Sequence, residues 1–273
     1  MNRAIRHLIL LLFFSLFTTM SACKKGAFDW FQPVGKTVQK EISLESFQAL
    51  LLTADVDVVF HKASSPDSCK VVFEAGENVI DQVAFSFEKY VQEFANDTLI
   101  IGGDTIYTPT HSYKRLIINN ESLCKGLKKL DLYFDTLANI EYRSNGSMKF
   151  KDPIDTDTLM INIYEGSGTI SLWVEGLKWS SLNFHYGTAE LFAKGDSKIN
   201  YIYQASYGPI DARNLQTDFS FLENRSDNHC WVRVNNSLEA KINGNGNVYY
   251  YAPKPDIVQL SGTGNGKLLY LGN

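Results

Sequence analysis

The amino-acid sequence predicts an all-β fold, a single-stranded β-solenoid with about 20 residues per turn in its C-terminal half. Three observations predict it. The stretch INGNGNVYY (242–250) is written again, in altered form, as SGTGNGKLLY (261–270). Apolar residues occupy every second position through most of the chain, which is the period of a strand. Apart from one ambiguous stretch, the mature chain carries no apolar stripe at helical spacing.

The chain has 273 residues, 44% of them hydrophobic, which is enough for a sizeable core. Its 26 Lys and Arg stand against 30 Asp and Glu, a net charge of −4. No basic cluster interleaves with aromatics, so nucleic acid is not an expected partner.

Residues 1–22 read as a lipoprotein signal peptide. Arg3 and Arg6 supply a basic region, and Leu8–Phe17 an apolar run too short to span a bilayer. The small residues Ser21 and Ala22 then precede Cys23. Met20-Ser21-Ala22-Cys23 resembles a bacterial lipobox, with Met20 where leucine is usual. Cys23 is thus the expected lipidation site, and the membrane, through that anchor, an expected partner. Each buried methylene of an acyl chain contributes about 0.8 kcal/mol, so a multiply acylated cysteine holds stably. Lys24 and Lys25 follow where surface-exported lipoproteins resemble an acidic pattern, which favours an outer-membrane location facing the periplasm. Residues 23–41 mix charge, Gly and Pro without a period and read as a tether, with Trp30 and Phe31 as a cap.

Residues 42–273 form the expected solenoid domain. Val56, Val58 and Phe60 alternate, as do Leu130, Leu132 and Phe134. Val79, Val83, Phe87, Val91 and Phe94 fit a helical stripe as well as a strand, and the strand-like neighbourhood decides for strand. The chain before residue 140 is expected to make longer, less regular turns of one stack. After it, turns are anchored at Gly146, Gly168, Gly187, Gly208, Asn228, Gly246 and Gly266, at steps of 18 to 22 residues. Two positions after each anchor stand Met148, Ile170, Ala189, Ile210, Cys230, Val248 and Leu268. Four positions after stand Phe150, Leu172, Leu191, Ala212, Val232, Tyr250 and Tyr270. Both columns should face inward, with the mixed column between them facing out. One such strand cannot bury its apolar face alone, but stacked turns can. Asn245 and Asn265 should then be neighbours whose amides bond as a ladder.

The order and spacing of several segments resemble the GIN domain family, described as a "putative auto-transporter adhesin" head and common in lipoproteins of Bacteroidetes. They are SFQALLLTADVDVVF, LKKLDLYFDTLANIEYRSNGSMKF, YEGSGTISL, NFHYGTAEL, SYGPIDARNL and LEAKINGNGNVYYYAPKPDIVQLSGTGNGKLLY. The resemblance covers roughly residues 44–270. It implies a right-handed parallel β-helix-like solenoid with no established catalytic activity. Tyr186-Gly187 and Tyr207-Gly208 stand where many relatives have Gly-Ser-Gly, which leaves the corner geometry there open.

Chemistry-bearing constellations are sparse. Cys69, Cys124 and Cys230 are an odd set without metal-ligand spacing and read as small buried hydrophobes. Neither metal nor cofactor is expected, since His61, His111, His185 and His229 form no HxH or HExxH pattern. Glu190 and Asp211 fall in one outward column on adjacent turns. They are the only basis for the alternative reading, a carbohydrate-active enzyme with paired carboxylates. The preferred reading is a non-catalytic scaffold in the cell envelope, adhesive or structural. Its candidate binding face is Tyr186, Tyr207, Trp231 and Tyr249, whose flat rings suit a glycan or a protein ligand.

Overall fold

The computed structural model describes residues 35–78, 80–92, 99–101, 104–106, 111–120 and 129–272. The signal peptide, Cys23, most of the tether and Cys124 lie outside the described residues. So do Trp30, Phe31, Val79 and Phe94.

In chain order the first strands are β1 (Thr37–Ser43), β2 (Ala49–Leu52), β3 (Val58–Lys62), β4 (Lys70–Gly76) and β5 (Val83–Gln92). Next come β6 (Leu99–Ile101), β7 (Asp104–Ile106), β8 (His111–Asn120), β9 (Lys129–Phe134), β10 (Asn139–Ser144) and β11 (Met148–Phe150). Then follow β12 (Thr158–Gly166), β13 (Thr169–Phe184), β14 (Glu190–Gln204), β15 (Ile210–Asn224) and β16 (Cys230–Ile242). The last are β17 (Val248–Tyr251), β18 (Ile257–Ser261) and β19 (Leu268–Gly272). Among the described residues the only helical turns are two short 3-10 segments. The ambiguous stretch around Val83 is strand β5, and residues 37–41, at the end of the expected tether, are already paired with β4 in β1.

Backbone pairing sorts these strands, apart from the separate β6–β7 hairpin pair, into two faces that close on one core. Face A runs β1-β4-β9-β3-β11, then the first halves of β13, β14, β15 and β16, then β17 and β19. Face B runs β5-β8-β2-β10-β12, then the second halves of β13 to β16, then β18. Each of the four long strands passes from face A to face B through a corner. Gly195 makes that corner in β14 with φ +107 and its Cα packed on the Val174 carbonyl, a place no side chain fits. From β8–β9 to β18–β19 the rungs pair in parallel, and β1, β4 and β5 close the N-terminal end with antiparallel pairings.

Alternation puts the apolar columns inside. Val58, Met148, Ile170, Leu191, Ile210, Cys230 and Val248 are laterally paired and all buried. One entry of the predicted column is displaced. The turn after face B carries two glycines, Gly166 and Gly168, and Gly187 matches the first of them, with φ +109 against +102. Ala189 therefore stands opposite Gly168, and Leu191, not Ala189, pairs with Ile170. A shift of two residues preserves facing, so Ala189, Leu191 and Ala193 all remain buried.

A second departure is the order of the rungs. The rung β2–β3 does not begin the stack. It lies between β8–β9 and β10–β11, pairing with both. The intervening strands β4 and β5 turn back antiparallel, and Phe73, Phe85 and Phe87 cover that end of the core. The expected amide ladder is present: Asn265 Nδ2 donates to Asn245 Oδ1 at 2.9 Å, and Asn245 Nδ2 to Asp227 at 2.6 Å.

Candidate functional site

The site is assembled by the outward positions of face B. In β14 the inward residues Asn200, Ile202 and Gln204 are buried, which turns Tyr201 and Tyr203 outward. Parallel register then sets one outward column as Ser181, Tyr201, Phe221, Glu239 and Gln259. The next column is Asn183, Tyr203, Glu223, Lys241 and Ser261. Together they line a groove of about 420 Å³.

Its floor is aromatic. The Tyr201 and Phe221 rings stack at 5.1 Å and 15°, and Trp179 extends the row at 6.0 Å from Tyr201. Its rim is polar. Glu223 accepts from Arg225 Nε at 2.7 Å and Asn243 Nδ2 at 3.0 Å, with Lys241 Nζ at 3.3 Å. Burial pulls the Glu223 carboxyl upward, but the hydrogen bonds and charges of Arg225 and Lys241 outweigh it and hold it below the usual range. An aromatic floor with carboxylate, amide and ammonium groups on the rim matches a ligand with one apolar face and hydroxyl edges.

The sequence-predicted face is divided in space. Trp231 and Tyr249 do come together, on face A, stacked at 5.7 Å and 17°. His229 sits edge-on to both, and Arg213 lies over Trp231 at 5.4 Å. Tyr186 and Tyr207 lie on the turns between the faces, Tyr207 being 78% exposed. Tyr201, Phe221 and Trp179 were not singled out from sequence. The same 20-residue step, applied to the second half of each turn, aligns Tyr201 with Phe221 and marks that pair, whereas Trp179, opposite Ile199, lies off their column.

The carboxylate pair of the enzymatic alternative is not formed by the register. Glu190 stands opposite Thr169, and Asp211 opposite Phe192. Asp211 instead accepts from Arg213 Nε at 2.8 Å. The same two-residue displacement accounts for this, since Phe192, and not Glu190, holds the position opposite Asp211.

Other titratable groups serve packing. His185 stacks on Tyr164 at 4.4 Å, and burial together with Arg143 holds its imidazole below the usual range. Cys69 and Cys230 are free and buried. Burial, helped by Asp135, pushes the Cys69 thiol up to about 11, and burial alone raises Cys230. Among the described residues no three His, Cys, Asp or Glu side chains are grouped to hold a metal ion.

Solved structures share this architecture. A crystal structure of a "putative adhesin" from Bacteroides fragilis aligns with TM-score 0.68 at 16% identity, over 88% of this chain and 100% of that one. A "putative lipid binding protein" from Parabacteroides distasonis aligns with TM-score 0.60 at 18% identity, over 86% and 97%. A "putative adhesin" from Parabacteroides merdae aligns with TM-score 0.55 at 15% identity, over 87% and 97%. At these identities the likeness establishes the fold. No curated protein matches the chain. The family described as "Putative auto-transporter adhesin, head GIN domain" matches residues 46–253, and the chain belongs to that family.

Proposed function

We propose that the protein is a cell-envelope lipoprotein, anchored through Cys23 to the outer membrane and facing the periplasm, whose solenoid is a non-catalytic binding module for glycans. The observation that carries the glycan reading is the groove on face B, which stacked Tyr201 and Phe221 line together with Glu223, Glu239 and Lys241. A pyranose ring offers an apolar C–H face and a hydroxyl edge, and each has its counterpart there. Membership of an adhesin-head family supports a binding role. The stacked pair Trp231–Tyr249 on face A and the turn tyrosines Tyr186 and Tyr207 offer secondary contacts to a long chain.

A glycan array probed with the mature chain tests this. Binding is expected, and Tyr201→Ala with Phe221→Ala should weaken it at least tenfold. Trp231→Ala and Tyr207→Ala should weaken it less. Absence of binding to every glycan, or binding indifferent to the Tyr201 and Phe221 substitutions, would overturn the assignment. Incorporation of labelled palmitate, abolished by Cys23→Ser, tests the anchor.

A further inference from the structure

Five of the most exposed large apolar side chains among the described residues lie on one rung, the last. They are Ile257, Val258, Leu260, Tyr270 and Leu271, at 37–58% exposure. Register shows that three of them belong to the core. Val258 and Leu260 pair with Leu238 and Ala240, and Tyr270 with Tyr250, all buried one rung earlier. The core columns therefore continue past the last rung that covers them. Among the described residues β18 and β19 are also the outer strands of face B and face A, so each presents a row of backbone N–H and C=O groups with no strand partner among them. Their sequences, IVQLS and LLYLG, contain neither charge nor proline, the usual means of blunting such an edge.

We infer that this end is the interface of a two-fold dimer, in which the last rung of one copy stacks on the last rung of a second. A two-fold axis perpendicular to the stack reverses strand direction. It sets β19 antiparallel to its counterpart and β18 likewise, so the interface is self-complementary in hydrogen bonding. Val258, Leu260 and Tyr270 then close against the second copy and lose their exposure to water. Two uncharged edges meet without repulsion, whereas a partner chosen by charge finds nothing on these strands to recognise.

The chain's own N-terminal segment is one alternative cover, and length excludes it, given the processing proposed above. β1 is the outermost strand at the opposite end of face A, roughly 48 Å from β19 at about 4.8 Å per strand. Residues 23–34 reach at most about 40 Å when fully extended. The dimer interface itself is small. Five-residue strands in two sheets about 10 Å apart cover on the order of 400–500 Å² per copy, the low end for specific complexes, so the dimer should be reversible.

The test is the mass of the mature chain carrying Cys23→Ser, by sedimentation across about 1 to 200 μM. The described core cluster begins at Leu44, so removing the leader takes nothing from it. The mass is expected to rise from one chain to two. Val258→Lys with Tyr270→Lys should hold it at one chain, and Tyr207→Lys, on a distant turn, should leave the dimer intact. A single-chain mass at the highest concentration, or dimerisation undisturbed by the double substitution, would overturn the inference. Should the double variant fail to fold, hydrogen exchange of the unaltered chain decides. The β18 and β19 amides must slow as concentration rises, and rates independent of concentration would equally overturn the inference. Failure of the glycan array leaves this measurement untouched.

Discussion

Single residues fix the turns of this protein by what they lack. A Cβ built on Gly208 would stand 1.6 Å from the Ala189 carbonyl oxygen, so the glycine is required by the approach of successive rungs. Gly176 differs: a Cβ there meets nothing within 4 Å, and only its φ of +66 resists a side chain. Gly208→Ala should therefore cost about 2–4 kcal/mol, because backbone must move. Gly176→Ala should cost only about 1–2 kcal/mol, the left-handed penalty alone. Urea unfolding of the two variants checks the order, and equal losses would show that the rungs yield freely. His185 makes a second prediction at this scale. Burial, then Arg143, lowers its folded-state pKa, so the folded chain resists the proton that the unfolded chain accepts below about 6.5. Stability should thus be unaffected by this group above that pH and fall as pH drops through it. His185→Phe, which keeps a ring against Tyr164, should flatten the difference in urea midpoint between pH 7.5 and 5.5. An unchanged slope would assign the pH dependence to other groups.

At the scale of strands, legibility followed periodicity. The first half of each C-terminal turn starts from a glycine or a polar residue and alternates cleanly, so Met148, Ile170, Ile210, Cys230 and Val248 were read as core and are buried. The second half begins after a corner whose spacing varies, with register shifts between Val174 and Leu177 and between Ala212 and Gln216. A fixed count from the anchor loses its place there, so the Tyr201–Phe221 floor is not legible from the anchors while Trp231–Tyr249 is. The same arithmetic misplaced Gly187, because a turn with glycines at both Gly166 and Gly168 offers two alignments two residues apart. The insertion of β2–β3 between later strands was beyond any local pattern. Pairing of strands distant in sequence is selected by which edges remain open, and an alternating segment fits any of them equally well by period alone.

The whole molecule is a stack with unlike ends, and that asymmetry governs how it should come apart. Rungs in a solenoid are stabilised by their neighbours on both sides, so an interior rung rests on two interfaces and a terminal one on a single interface. At the N-terminal end, β1, β4 and β5 cover the first rungs with antiparallel pairings, and Phe73 and Phe85 pack together at 5.6 Å. At the other end, β18 and β19 have one neighbour each among the described residues, and Val258, Leu260 and Tyr270 of their core columns are exposed. Burying a leucine-sized side chain is worth about 1.5–3 kcal/mol, so exposure of Val258, Leu260 and Tyr270 withdraws several such contributions from that rung. At low micromolar concentration, hydrogen exchange should therefore be fastest in β18 and β19. Protection should rise through β16 and reach its maximum in β13 to β15, by local opening rather than global unfolding. Adding denaturant should flatten the gradient by lowering protection in β13 to β15 first, since only those interior amides report the cooperative transition. Uniform protection from β13 to β19 at that concentration would mean that the last rung is bound into the cooperative unit as firmly as the rest, and the view of this end as an open core would fail with it.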